Sequence, residues 1–196
     1  VSVDRSWSLP IARAVPAAAV ALVITFSADH SARLGLLALG SFALVTGVVL
    51  VVGALRGAYP RTPFAVQGGL LVVGGALALA LSQSGVPALI VLTAVLFGAT
   101  GVIEVIAGVR ARDAAARDYI FVGGLSVVLA VAVLLVPTDL VDVISIPDIE
   151  VPPLTASIVV VGLLGAYAAI AAVYLVIAGL SLKGAAPASA TIAKSR

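Results

Sequence analysis

The chain is 196 residues long, 62% hydrophobic and only 10% charged, with a mean hydropathy of +1.27. A water-soluble domain carries roughly 25% charged residues to solvate its surface, so this composition excludes a soluble globular protein and makes lipid the solvent for most of the chain. Cysteine is absent, which excludes disulfides, thiolate nucleophiles and cysteine metal sites.

Crossing a ~30 Å hydrocarbon core takes about 20 apolar residues at 1.5 Å each. Six stretches meet this: Leu9 to Ser27, Leu34 to Leu55, Phe64 to Leu81, Val86 to Val109, Tyr119 to Val136, and Leu154 to Leu182. The first has a rival reading as a secretory signal, with Arg5 and Arg13 before an Ala/Val run and a cleavage site near Ala28. Phe26 at the −3 position, where a small residue is wanted, argues against it. The longest connection, Pro137 to Pro153, alternates acidic and aliphatic residues between prolines. It reads as an extended segment packed over the helix ends or lying at the interface. Residues 1–183 form the membrane domain, and residues 184–196, small and polar with one proline, form a flexible cytoplasmic tail.

The basic residues set the orientation. With the N-terminus inside, ten of the eleven fall on the cytoplasmic side and only Arg33 outside, while Asp29, Asp139, Asp142, Asp148 and Glu150 lie outside. An even number of spans returns the C-terminus to the cytoplasm. The excess of Arg over Lys and the abundance of Ala, Val and Gly point to a GC-rich bacterial genome, hence to a multi-pass protein of the bacterial plasma membrane. The net charge of +2 is spread between apolar runs without a basic aromatic stripe, so nucleic acid is not a partner.

Internal similarity organises the spans. Thr46-Gly47-Val48 recurs 54 residues later as Thr100-Gly101-Val102, and Gly68-Gly69-Leu70 recurs 55 residues later as Gly123-Gly124-Leu125. Ile177-Ala178-Gly179 echoes Ile106-Ala107-Gly108. The expected fold is all-α: three tandem helical hairpins in parallel orientation, over about 9–56, 64–110 and 119–183. The glycines suit close backbone approach between helices in lipid, and the same small-residue faces suit a membrane-protein partner or a second copy of the chain.

Glu104 is the one acidic residue inside a span. Burying an ionised carboxylate at membrane depth costs at least ~2.5 kcal/mol, which makes it the first candidate for function. Thr93, Thr100 and Glu104 share one helical line. Gln67 begins the third span on the same side, and Arg13 and Arg56 sit at comparable depth, with Arg110 at the exit of the fourth. An ion pair between Glu104 and an arginine is the structural expectation; a protonatable carboxylate is the functional one, and a lipid or ligand contact the third. His30, the single histidine, lies in the first outer loop and is a candidate pH sensor. Paired acid–base residues, phosphate-cradling loops and metal-ligand spacings are missing, so neither an enzyme nor a cofactor is expected.

The run Gly101-Val102-Ile103-Glu104-Val105-Ile106-Ala107-Gly108-Val109-Arg110-Ala111-Arg112, followed by Tyr119, Gly123-Gly124-Leu125 and Val136-Pro137, resembles the HdeD-like family of small bacterial membrane proteins. The likeness is strongest over Phe64 to Pro137. The connection between the fifth and sixth spans is longer and more acidic than the family's pattern, and the third repeat lacks a counterpart of Glu104. The resemblance implies a non-enzymatic role in acid or envelope stress tolerance. An accessory subunit of a larger membrane complex and a small transporter or channel are the alternatives.

Overall fold

The computed structural model describes residues 7–57, 60–111, 116–142 and 153–194, and side chains as far as Lys183. Each apolar run forms one helix: α1 Ser8–Phe26, α2 Ala32–Leu55, α3 Arg61–Ala80, α4 Gly85–Arg110, α5 Ala116–Leu134 and α6 Ala156–Lys194. All six are long and apolar enough to cross a membrane, α6 doing so over Ala156–Lys183.

Local chemistry places the helix ends. Pro10, Pro63 and Pro87 stand at the third position of α1, α3 and α4, where the missing N–H has no intrahelical acceptor to lose. The Ser31 hydroxyl caps α2, accepting from the Leu34 amide at 3.3 Å. Gly57, with φ of 71°, lets the chain leave α2 through the left-handed conformation. Between α5 and α6, strands β1 (Val141–Asp142) and β2 (Leu154–Thr155) pair antiparallel and bring the two ends of the long acidic connection together; residues 143–152 lie outside the described residues. Residues 184–194 continue α6 as helix, because Ala185, Ala186, Ala188, Ala190 and Ala193 are the strongest helix formers and offset the interruption at Pro187.

Exposed Val, Leu and Ile side chains ring the bundle, with Val73 69% and Leu135 77% accessible. A patch of this extent belongs against acyl chains. Inside, α2, α4 and α6 touch one another, and 50–56% of their spanning residues are buried, against 39% in α1, α3 and α5. The first three are therefore the inner helices. One aromatic from each meets at the centre: Phe42 stacks on Phe97 at 5.9 Å, and Tyr167 stands edge-on to both, at 6.2 and 4.6 Å.

The tightest helix pairs are α2 with α3, α4 with α5, and α6 with α1. These pairs are one helix out of phase with the hairpins drawn along the sequence, and the third is closed by helices far apart in the chain. The contacts repeat. A Cβ on Gly47 would stand 2.7 Å from the Gly68 carbonyl oxygen and the reverse holds; Gly101 and Gly123 stand in the same relation at the same 2.7 Å. Gly108 packs on Ile120 and the Ala116 carbonyl, and Gly179 packs on Ile11 and the Trp7 carbonyl. An offset of 71 residues thus carries α4 onto α6, and one of 109 carries α1 onto α5. The bundle is a ring of three pairs related by an approximate threefold.

Within each Gly-Gly pair the two glycines differ. Gly68 and Gly123 face backbone, whereas a Cβ on Gly69 or Gly124 meets nothing within 4 Å. Gly68→Ala and Gly123→Ala force the backbones apart and should each destabilise the bundle by about 1–3 kcal/mol, the usual cost of overpacking. Gly69→Ala and Gly124→Ala should leave it unchanged. Thermal melting of the four variants in one detergent checks this contrast.

Candidate functional site

Three helices deliver polar side chains to one buried point near the end of the bundle that holds the starts of α1, α3 and α5. Arg13 lies five residues into α1, Gln67 six into α3, and Glu104 six before the end of α4, all about 9 Å or less along the helix axes from that end. Arg13 Nη1 donates to Glu104 Oε1 at 2.8 Å, and Nη2 to Oε2 at 3.2 Å. Gln67 Nε2 donates to Oε2 at 3.0 Å. Arg13, Gln67 and Glu104 are 6%, 3% and 1% exposed. A two-pronged guanidinium and an amide together satisfy the carboxylate, which makes its burial tolerable.

Aromatic layers bracket this point. Phe64, one turn closer to the bundle end than Gln67, packs on Tyr119 with ring centroids 4.9 Å apart, and both are buried. The central trio of Phe42, Phe97 and Tyr167 lies about two turns deeper, Phe97 being seven residues before Glu104. The Tyr167 hydroxyl shares a hydrogen bond of 3.0 Å with Ser126 Oγ, which in turn donates to the Val122 carbonyl. A buried phenol needs such a partner.

The approximate threefold shows how unusual the polar cluster is. The positions equivalent to Glu104 are Leu50 and Leu175, and those equivalent to Gln67 are Arg13 and Val122. One ring of three positions therefore holds one carboxylate and two leucines. The next holds an arginine, an amide and a valine.

The remaining sequence candidates lie elsewhere. Thr100 is buried beside Glu104 on α4 but turns its hydroxyl to the Leu96 carbonyl of its own helix. Arg56 is the exposed C-cap residue of α2, and Arg110 is exposed at the end of α4; neither joins the cluster. His30 is part-exposed in the turn between α1 and α2. Its neighbour Asp29 accepts the Ser31 amide at 2.8 Å and the Ser31 hydroxyl at 3.1 Å. These bonds, with the nearby charges of His30 and Arg33, hold the Asp29 carboxyl below the ordinary carboxylate range. Among the described residues, Gln67 Oε1 and the buried hydroxyls of Thr46 and Thr93 have no hydrogen-bond partner. Thr46 was not singled out from sequence, although its match to Thr100 across the 54-residue repeat is a signal that could have found it.

No family model, curated protein or solved structure matches this chain.

Removing one partner from a buried ion pair strands the other charge, at a cost of roughly 3–5 kcal/mol. Arg13→Ala should lower the melting temperature steeply. Combining Arg13→Val with Glu104→Leu, which copies Val122 and Leu50 at the equivalent positions, should restore most of it. A double-mutant cycle on purified protein, built from Arg13→Val, Glu104→Leu and the two combined, measures the coupling, and a loss in the double variant equal to the sum of the two single losses would show that the pair contributes none.

Proposed function

We propose that this chain is a non-enzymatic integral membrane protein of acid or envelope stress tolerance, the role its HdeD-like resemblance implies. It lies in a bacterial plasma membrane with both ends of the bundle's chain cytoplasmic. The observation that supports this reading over transport is the state of Glu104. Both carboxylate oxygens are taken by side chains of α1 and α3, between two aromatic layers. A conduit needs a polar, hydrated route to such a group; this one serves as a clasp between helices.

The repeated glycine contacts, Gly47 with Gly68 in α2–α3 and Gly101 with Gly123 in α4–α5, support tandem units that share one orientation, each pairing two consecutive helices. A second reading, as an accessory subunit or a homo-oligomer, draws on Gly69, Gly124 and Gly162, which meet nothing within 4 Å and leave small-residue surface available to another helix.

Two measurements test these readings. Deletion of the gene should lower survival in strong external acid and let cytoplasmic pH fall further than in wild type, with the chain restoring both. Unchanged survival and cytoplasmic pH would refute the stress role. Because the chain has no cysteine, single substitutions report orientation directly. Arg33→Cys and Asp139→Cys should react with a membrane-impermeant maleimide on whole cells, and Arg56→Cys and Arg117→Cys only after lysis.

A further inference from the structure

The three seams between neighbouring helix pairs are equivalent by the approximate threefold, yet two of them are finished differently. A lateral groove of about 540 Å³ opens between the start of α3 and the end of α4, walled by Pro63, Val66, Ile103, Ile106 and Ala107 and carrying Arg110 at its mouth. The corresponding seam between α5 and α6 has a shallower hollow of about 410 Å³ that includes Phe121, Tyr174 and Ile177. The repeat offsets place Phe121 on Val66, Tyr174 on Ile103, Ile177 on Ile106, and Asp118 on Pro63.

In the α5–α6 seam, Phe121 and Tyr174 stack with centroids 4.0 Å apart and an interplanar angle of 19°. The Tyr174 hydroxyl donates to Asp118 at 2.7 Å. The stacked rings narrow that seam to its shallower hollow, and it ends in an acid. In the α3–α4 seam the aliphatic Val66 and Ile103 leave the slot open, and the group at its mouth is an exposed guanidinium. Arg61, also exposed, stands at the same end next to Thr62, another lining residue.

The geometry points to a binding site for one anionic phospholipid in the α3–α4 seam, with an acyl chain between Val66 and Ile106 and the phosphate on the Arg110 guanidinium. The volume lies within the roughly 300–1,000 Å³ of small-molecule sites. A basic residue at the interfacial end of a groove between spanning helices is the arrangement that selects anionic headgroups. Planar, two-pronged donation suits arginine to phosphate. A soluble anion gains nothing from the apolar walls, and a zwitterionic lipid gains less at the mouth. The site does not depend on the stress role, since it needs only a bilayer and the charge at the groove.

Native mass spectrometry of the full chain, released from nanodiscs holding equal phosphatidylglycerol and phosphatidylcholine, tests it. The wild type should retain one phosphatidylglycerol in preference to phosphatidylcholine. Arg110→Gln should reduce that preference about fivefold, the worth of one interfacial arginine. Val66→Phe with Ile103→Tyr, which copies the narrowed seam, should abolish retention of either lipid. Val66→Phe alone, at a half-exposed position, should weaken it, and Val73→Phe on the same helix but outside the groove should not. Equal retention of the two lipids by wild type, or a phosphatidylglycerol preference that survives both Arg110→Gln and the filled groove, would overturn the assignment.

Discussion

In a bilayer, two apolar helices gain nothing by hiding their side chains from the surroundings, because the surroundings are equally apolar. Backbone approach has to supply the attraction, and it requires positions without a Cβ. Gly47 against Gly68 and Gly101 against Gly123 are such positions, each pair within reach of the other's carbonyl oxygen. They fix the axial register of α2 on α3 and of α4 on α5. Gln67 adjoins Gly68 and Glu104 lies one turn from Gly101, so both polar side chains are held next to these close approaches.

The third pair obeys the same rule with different residues. Gly179 of α6 closes on Ile11 of α1 and on Trp7, the residue before that helix, as Gly108 closes on Ile120 and Ala116, and Lys183 lies over the Trp7 ring at 4.9 Å. This cation–π contact of an exposed lysine adds a second link between the start of α1 and the end of the spanning part of α6. The ring therefore has three similar joints, but only two lie between neighbours in sequence. The polar cluster sits where this symmetry breaks, with a carboxylate at a position that is leucine in the other two pairs.

Much of this was legible beforehand. Apolar length alone located the six helices within about three residues at every end but one, the small misses falling at polar first turns such as Arg61-Thr62 and Arg117-Asp118 that hydropathy trims away; the exception is α6, which runs on from Leu182 to Lys194. The recurrence of Thr-Gly and Gly-Gly also announced the repeat. Glu104 stood out because charge in a span is expensive. What sequence could not supply was non-local. Arg13 and Arg56 were equal candidates by depth, and the choice of Arg13 follows from where α1 docks once α6 has closed the ring. The phase of the pairs was likewise hidden, because a hairpin joined outside and one joined inside leave the same alternation of spans along the chain.

The α1–α6 joint also has a consequence for biogenesis. Ribosomes add ~5–20 residues per second, so α1 enters the membrane roughly ten to thirty seconds before α6 is complete. During that interval α2 with α3 and α4 with α5 have both partners present, while α1 lacks the helix it packs on most closely. The emergence of α4 provides the carboxylate that can shelter Arg13, and the arrival of α6 then locks α1 in place. The joint that makes the bundle a closed ring is thus the last to have both its helices synthesised.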